Sequence, residues 1–417
     1  MRRDIRQVEK FELLGLFFLQ WLPLSIWFVP LSAMLDAHGL QSIKAYAFAT
    51  SAVAAFVSPL IFGAMADRHA SPVRVLRGLC VATAVAMSLS AWSIQRGWPP
   101  GVVLALIQLQ AFCSSPTTSI STSIVFSRLT NSQREFGPIR ATATFGFMCG
   151  CWLVSALHAD ASALAGFVGA LAWLALAAFT FLVPAVSPPE SSGHVTWRER
   201  LGWDALRLLK NRDHRVVFIA AALYNIPLAA FFPFTPAHLH QLGFQRTAAW
   251  MSLGQVTEVI AMVALARLFT RWRLKWIFVA GLTFGLARFA ACAAGGKLGL
   301  LVGVTLHGFS YTLFFITAQI YLDERMDAAW RTRAQALFAL MTSGVGNLIG
   351  YLGMGWWFGA CTAGSDTRWP QFWIGVMGVV AVVQLYFMTA YRGTGHGLKA
   401  ANQSALEKPI PAQPDQR

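Results

Sequence analysis

Apolar positions along this chain come in long uninterrupted runs separated by short polar gaps. The runs fall at about 11–35, 43–66, 74–95, 101–126, 137–158, 161–186, 215–239, 248–269, 274–295, 298–322, 333–360 and 369–390. A helix needs about 20 such residues to cross a bilayer core of roughly 30 Å. The spacing therefore predicts an all-α polytopic membrane protein with twelve transmembrane helices in two sets of six. The longest polar interval, from Ser187 to about Arg212, lies between the sixth and seventh runs. It carries Pro188, Pro189, Ser191 and Ser192 before a short amphipathic stretch around Trp197–Leu209. The chain thus reads as a six-helix half over 1–186, a linker over 187–213, a second six-helix half over 214–392 and a polar, disordered tail over 393–417.

Composition strengthens this reading. Of 417 residues 56% are hydrophobic and 12% charged, against about a quarter charged in soluble domains. The formal net charge of +15 sits in the gaps between runs and forms no basic folded patch, so no nucleic-acid partner is expected. Most Lys and Arg residues fall in alternate loops, including Arg2, Arg3 and Arg6; Arg68, Arg74 and Arg77; Arg198 to Arg215; Arg267 to Lys275; and Arg325 to Arg333. The intervening loops hold one each: Lys44, Arg96, Arg246, Lys297 and Arg368. Positive charge stays on the cytoplasmic side, so both termini are predicted to be cytoplasmic, in a bacterial-type inner membrane. The first run is too long for a signal-peptide core and is expected to remain as a span.

The cysteines Cys80, Cys113, Cys149, Cys151, Cys292 and Cys361 lie within apolar runs without metal or disulfide spacing. No phosphate-cradling loop, nucleotide fingerprint or nucleophile triad is present. An enzyme, a bound cofactor and ATP-driven transport are accordingly not expected.

Ionisable groups inside a span are costly, so each is a functional candidate. Glu258 lies about ten residues from either end of the eighth run, roughly 15 Å deep at 1.5 Å per residue. Gln255 shares its face one turn earlier. The pair suits proton coupling or the binding of substrate hydroxyls, with helix packing as the plainer role. Arg140, Thr144 and Phe147 share one face of the fifth helix and could hold a polar ring compound, although Arg140 is shallow enough to snorkel. Arg288 has no acid on its own helix, so an ion pair elsewhere or a route to water is expected over substrate contact. His307, Tyr311 and Thr312 cluster in the tenth run, and Asn225 follows Tyr224 in the seventh. Gln20 lies between aromatic residues in the first. Glycine pairs at Gly146 and Gly150, Gly281 and Gly285, Gly346 and Gly350, and Gly355 and Gly359 permit close helix crossings.

Gly63-Ala64-Met65-Ala66-Asp67-Arg68 resembles the loop signature of the major facilitator superfamily, where Gly63, Asp67 and Arg68 would form a conformational latch. Two six-helix halves around a midplane cavity are that superfamily's architecture. More extensive is a resemblance to its nucleoside:H+ symporter family. It is carried by Phe18-Leu19-Gln20, Pro138-Ile139-Arg140 with Thr144-Phe145-Gly146-Phe147, Ser252 through Glu258, Leu286 through Ala290, and Arg333-Ala334-Gln335 running to Met341 through Gly344.

The resemblance implies a secondary transporter that imports nucleosides or related small polar ring compounds by proton symport; a monomer is expected. It implies a substrate site of Arg140, Thr144, Phe147, Gln255 and Glu258 with His307 and Tyr311 from the tenth helix, to which Asn225 is added as the one amide that the seventh helix offers. Thr312 stands where coupled members carry an acid, which leaves Glu258 or His307 as the proton-coupling candidate. The seventh helix carries an apolar stretch, Ala229 to Phe234, where the family uses amides. A sugar symporter, drug efflux or a non-transporting sensor are the alternative readings.

Overall fold

The structure is a computed structural model that describes residues 7–67, 71–129, 132–183, 203–326, 328–364 and 366–393. It is all-helical apart from two antiparallel two-residue strands, Thr362–Ala363 and Asp366–Thr367. Among the described residues nine helices are long and apolar enough to cross a membrane. They are α1 (Glu9–Ala37), α3 (Pro72–Gln95), α5 (Ile139–Ala156), α7 (Arg212–Gln241), α8 (Thr247–Arg271), α9 (Leu274–Ala294), α10 (Gly296–Arg325), α11 (Arg333–Cys361) and α12 (Trp369–Ala390). Helices α2 (Lys44–Asp67), α4 (Pro100–Arg128) and the shorter α6 (Leu164–Phe179) complete the bundle.

Several of these helices are broken where the chain dictates. Near Pro30, α1 divides into Gln7–Phe28 and Leu31–Ala37, because proline supplies no N–H to the helical ladder. Helix α7 divides into Arg212–Leu228 and Phe231–Gln241 in a stretch containing Pro227, Pro233 and Pro236. Its first turn is capped by Asn211 Oδ1, which accepts from the N–H groups of Asp213 and His214 at 2.9 and 3.2 Å. Both α10 and α11 contain a π-helical turn, Thr312–Ile316 and Leu340–Gly346.

Two apolar cores hold the bundle. One is built mainly from α1 to α6, with Leu16, Phe48, Met87, Ile107 and Trp173 at its centre. The other draws mainly on α7 to α12, with Phe218, Phe231, Phe278, Phe289 and Trp373. The expected glycine crossings have specific partners. Gly146 and Gly150 lie against the α1 backbone at Phe18 and Leu22, and Gly346 and Gly350 against α7 at Ala222 and Ile226. Gly281 lies against α10 at Leu313 and Phe314, whereas nothing approaches Gly359.

The short amphipathic stretch before α7 is a 3-10 helix, Trp203–Lys210. The expected latch lies outside what is described here, as Arg68 and the side chains of Gly63 and Asp67 are not among the described positions. The same holds for residues 184–202 of the expected linker and for the tail from 394 onward.

Candidate functional site

A cavity of about 940 Å³ lies where α1 to α6 meet α7 to α12. All eight side chains of the expected site line it: Arg140, Thr144 and Phe147 from α5, Asn225 from α7, Gln255 and Glu258 from α8, and His307 and Tyr311 from α10. The α8–α10 pair is set by Gly308, where an added Cβ would collide with the backbone of Glu258 and Gly254. The crossing is further tied by Thr257, whose hydroxyl donates to the Thr305 carbonyl at 2.5 Å. Two backbones in contact thus put His307 and Glu258 on neighbouring parts of one wall.

Polar groups line the cavity from both sets of helices, and several are unspent. Glu258 is 7% exposed and its carboxylate has no hydrogen-bond partner among the described residues. Gln255 is buried with its Oε1 unpaired. Arg140 donates to Thr144 Oγ1 at 3.3 Å and lies over the Trp21 ring, 5.0 Å from its centroid. It therefore turns into the cavity and does not snorkel to the headgroups. Arg140 and Glu258 form no ion pair with each other.

Around them the walls are aromatic. His307 stacks on Phe231 at 4.2 Å, Tyr311 stacks on Phe315 at 5.2 Å, and Phe147 meets Phe232 edge-on at 6.4 Å. Aromatic walls carrying one carboxylate, one guanidinium and several amides and hydroxyls suit a flat polar ring with hydroxyl substituents.

Asn225 behaves differently from the others. Its Nδ2 donates to the Thr342 carbonyl at 2.6 Å and to Asn347 Oδ1 at 2.8 Å. Its amide nitrogen is therefore occupied in holding α7 to the π-helical turn of α11. The expected amide contact to substrate from α7 is weakened accordingly, and Asn347 is the neighbour that sequence reasoning passed over.

Trp21, Gln110, Ser114, Ser343 and Gln335 also line the cavity. A single polar residue in a small-residue run, or one Trp among 16, gives no signal that separates it from packing. Gln20 accepts from Ser121 at 2.9 Å and donates to Thr117 at 2.8 Å, so it joins α1 to α4 and does not line the cavity.

Arg288 departs from expectation. It is 1% exposed and makes no ion pair among the described residues. Instead its Nη1 lies 2.6 Å from His307 Nδ1, between the rings of Phe231 and Phe289. Among the described residues no three His, Cys, Asp or Glu side chains gather as metal ligands would.

One end of the cavity is sealed. There, side chains and backbone of α1, α2 and α5 bond to or pack on α7, α8 and α11. Trp152 Nε1 donates to Ser252 Oγ at 3.0 Å, and the N–H groups of Ala248 and Ala249 donate to Asp160 Oδ1 at 2.7 Å and Ser155 Oγ at 2.9 Å. Ser32 donates to the Pro233 carbonyl. Phe28 meets Phe232 at 5.1 Å and Phe48 meets Tyr351 at 5.7 Å. Toward the other end the lining continues through Ser119, Gln319 and Gln335.

Comparison with known proteins adds to this picture. The family model described as Nucleoside H+ symporter matches residues 8–396. YegT of Escherichia coli is 29% identical over 409 residues, covering 92% of this chain and 94% of its own. Nucleoside permease NupG of Escherichia coli is 24% identical over 364 residues, covering 83% and 86%. Crystal structures of the nucleoside transporter NupG superpose with TM-scores of 0.84 and 0.82 at 23% identity, over 92% of this chain.

Proposed function

The chain belongs to the nucleoside H+ symporter family, and from that premise we propose that it imports nucleosides by proton-coupled alternating access. Twelve spans form two six-helix halves, with both termini and the linker in the cytoplasm of a bacterial cell and the chain acting as a monomer in the inner membrane. The basic loops put the end of the cavity bearing Gln319 and Gln335 on the cytoplasmic side, so this conformation is inward-open and sealed outside.

The observation that carries the assignment is the convergence of Glu258, Gln255 and Arg140 on one aromatic-walled cavity between the halves. In the proposed pose the ribose hydroxyls meet Glu258 and Gln255. Phe147 and Tyr311 flank the base, while Arg140, Thr144 and His307 hold its polar edge.

Glu258 is the proposed coupling group. Closing the cavity over a bare, unpaired carboxylate is costly in the membrane interior. Reorientation is favoured when Glu258 carries a proton and the substrate satisfies the remaining polar groups. Opening to the cytoplasm admits water, and both proton and nucleoside leave. Binding across the halves lowers the energy of closure, and differential affinity for the two states drives the cycle.

The test is uptake of labelled uridine and adenosine into proteoliposomes with and without an inward proton gradient. Accumulation above equilibrium only with the gradient is expected. A second reading, equilibration without coupling, is favoured by Thr312, a hydroxyl where the resemblance implies an acid in coupled members. Uptake that stops at equilibrium whatever the gradient would select it, and uptake of a disaccharide in place of nucleosides would overturn the substrate assignment.

A further inference from the structure

Arg288 is the one described charged side chain in the middle of α9, and nothing in the proposed cycle uses it. Its Nη1 lies 2.6 Å from His307 Nδ1. A guanidinium has donors and no acceptor, so this bond has a single polarity, with Arg288 donating and Nδ1 accepting. His307 is then the neutral tautomer that carries its proton on Nε2.

The ring has little freedom to exchange its nitrogens. One face is stacked on Phe231, with the ring planes 14° apart, and Tyr311 lies beyond at 6.0 Å. Gly254 packs on the ring edge, where even a methyl would come within 3.2 Å of Cδ2. His307 lines the cavity, and no described residue bonds its Nε2. A fixed N–H donor thus remains for whatever fills the cavity.

Resting on the nucleoside assignment above, we infer that Arg288 is a positioning residue that fixes His307 as an obligate donor to the base, so that the site selects bases presenting an oxo oxygen over bases presenting an amino group. An oxo oxygen accepts from Nε2–H. An amino group at the same place sets donor against donor and leaves both unpaired. Uridine is therefore preferred to cytidine and inosine to adenosine, two pairs that differ by this exchange at one edge. His307 serves as a specificity group and leaves proton movement to Glu258.

Calorimetric titration of the full-length chain in lipid nanodiscs with these four nucleosides tests the idea. The wild type should bind the oxo member of each pair about tenfold more tightly. His307→Phe keeps the stack and removes the donor, and should bring both ratios to about one by weakening only the oxo nucleosides. His307→Gln, whose amide can offer either an N–H or an oxygen, should also bring the ratios to about one while retaining affinity.

Arg288→Met should reproduce the collapse, Arg288→Lys should preserve the wild-type ratios, and Arg288→Met should add nothing in a His307→Phe background. The His307 variants decide the matter if Arg288→Met does not fold. Equal weakening of all four ligands by His307→Phe, or wild-type ratios in His307→Gln, would overturn the inference and leave the nucleoside assignment standing. A wild-type chain that binds none of the four removes both.

Discussion

Asp160 should govern how often the outer seal opens. Its Oδ1 accepts from the Ala248 N–H at 2.7 Å and from Ser155 Oγ at 2.8 Å, and Ser155 Oγ accepts from the Ala249 N–H. One carboxylate on the loop after α5 thus caps the first turn of α8, which lies in the other set of helices. A hydrogen bond to a charged acceptor contributes about 1.5–3 kcal/mol, and a carboxylate at a helix N-terminus about 0.3–1 kcal/mol more. Asp160 is half-buried and water can replace part of this, so the lower end, about 1.5–2 kcal/mol, applies.

Asp160→Ala should accordingly raise the outward-open population by roughly 10–30-fold. The reporter is Ser51→Cys in a background with the native cysteines replaced. Ser51 lines the cavity, donating to the Phe48 carbonyl at 2.7 Å and bonding Tyr351 of α11, so the rate is read against the same reporter with Asp160 intact. A membrane-impermeant maleimide added outside reaches it only when the seal opens. Labelling should accelerate by that factor in Asp160→Ala and less in Asp160→Asn, which keeps an acceptor. An unchanged or slower rate in Asp160→Ala would refute the argument.

Three further outcomes follow from the geometry. Glu258→Gln should abolish gradient-driven accumulation in proteoliposomes while the protein still inserts and elutes as a single species, and wild-type accumulation would remove Glu258 from the coupling role. Gly308→Ala forces α8 and α10 apart at the Glu258 backbone, so it should cost about 1–3 kcal/mol of stability, seen as a lower melting temperature, together with loss of uptake. Arg140→Lys loses the flat contact with Trp21 and the bond to Thr144, and should raise the KM for uridine about tenfold with little change in the maximal rate.

The helices were legible because a hydrocarbon layer of fixed thickness sets a length criterion that a run of residues either meets or fails. Glu258 and Arg140 were legible for a related reason, since a charge inside such a run stands out. What the sequence does not display is how one helix meets another. Arg288 reads as a group in need of an acid, and only the approach of α9 to α10 shows a histidine in that place. Asn225 reads as a free amide until α11 is seen to occupy it. Asp160, on a short loop, carries no pattern that marks it as the cap of a helix far along the chain.

The π-helical turns have a consequence of angular phase. His307, Tyr311, Phe315 and Gln319 of α10 line the cavity at steps of four residues, as do Gln335, Ala339, Ser343, Asn347 and Tyr351 of α11. In an unbroken α-helix of 3.6 residues per turn each such step drifts by about 40°, so Tyr351 would lie about 160° around the axis from Gln335. The wider turns at Thr312–Ile316 and Leu340–Gly346 hold an additional residue and wind the drift back. One face of each helix therefore stays on the cavity through much of the membrane's thickness. Deleting a single residue from either turn would leave the helix nearly as long and as apolar as before, yet rotate half of its wall into the packing of its neighbours.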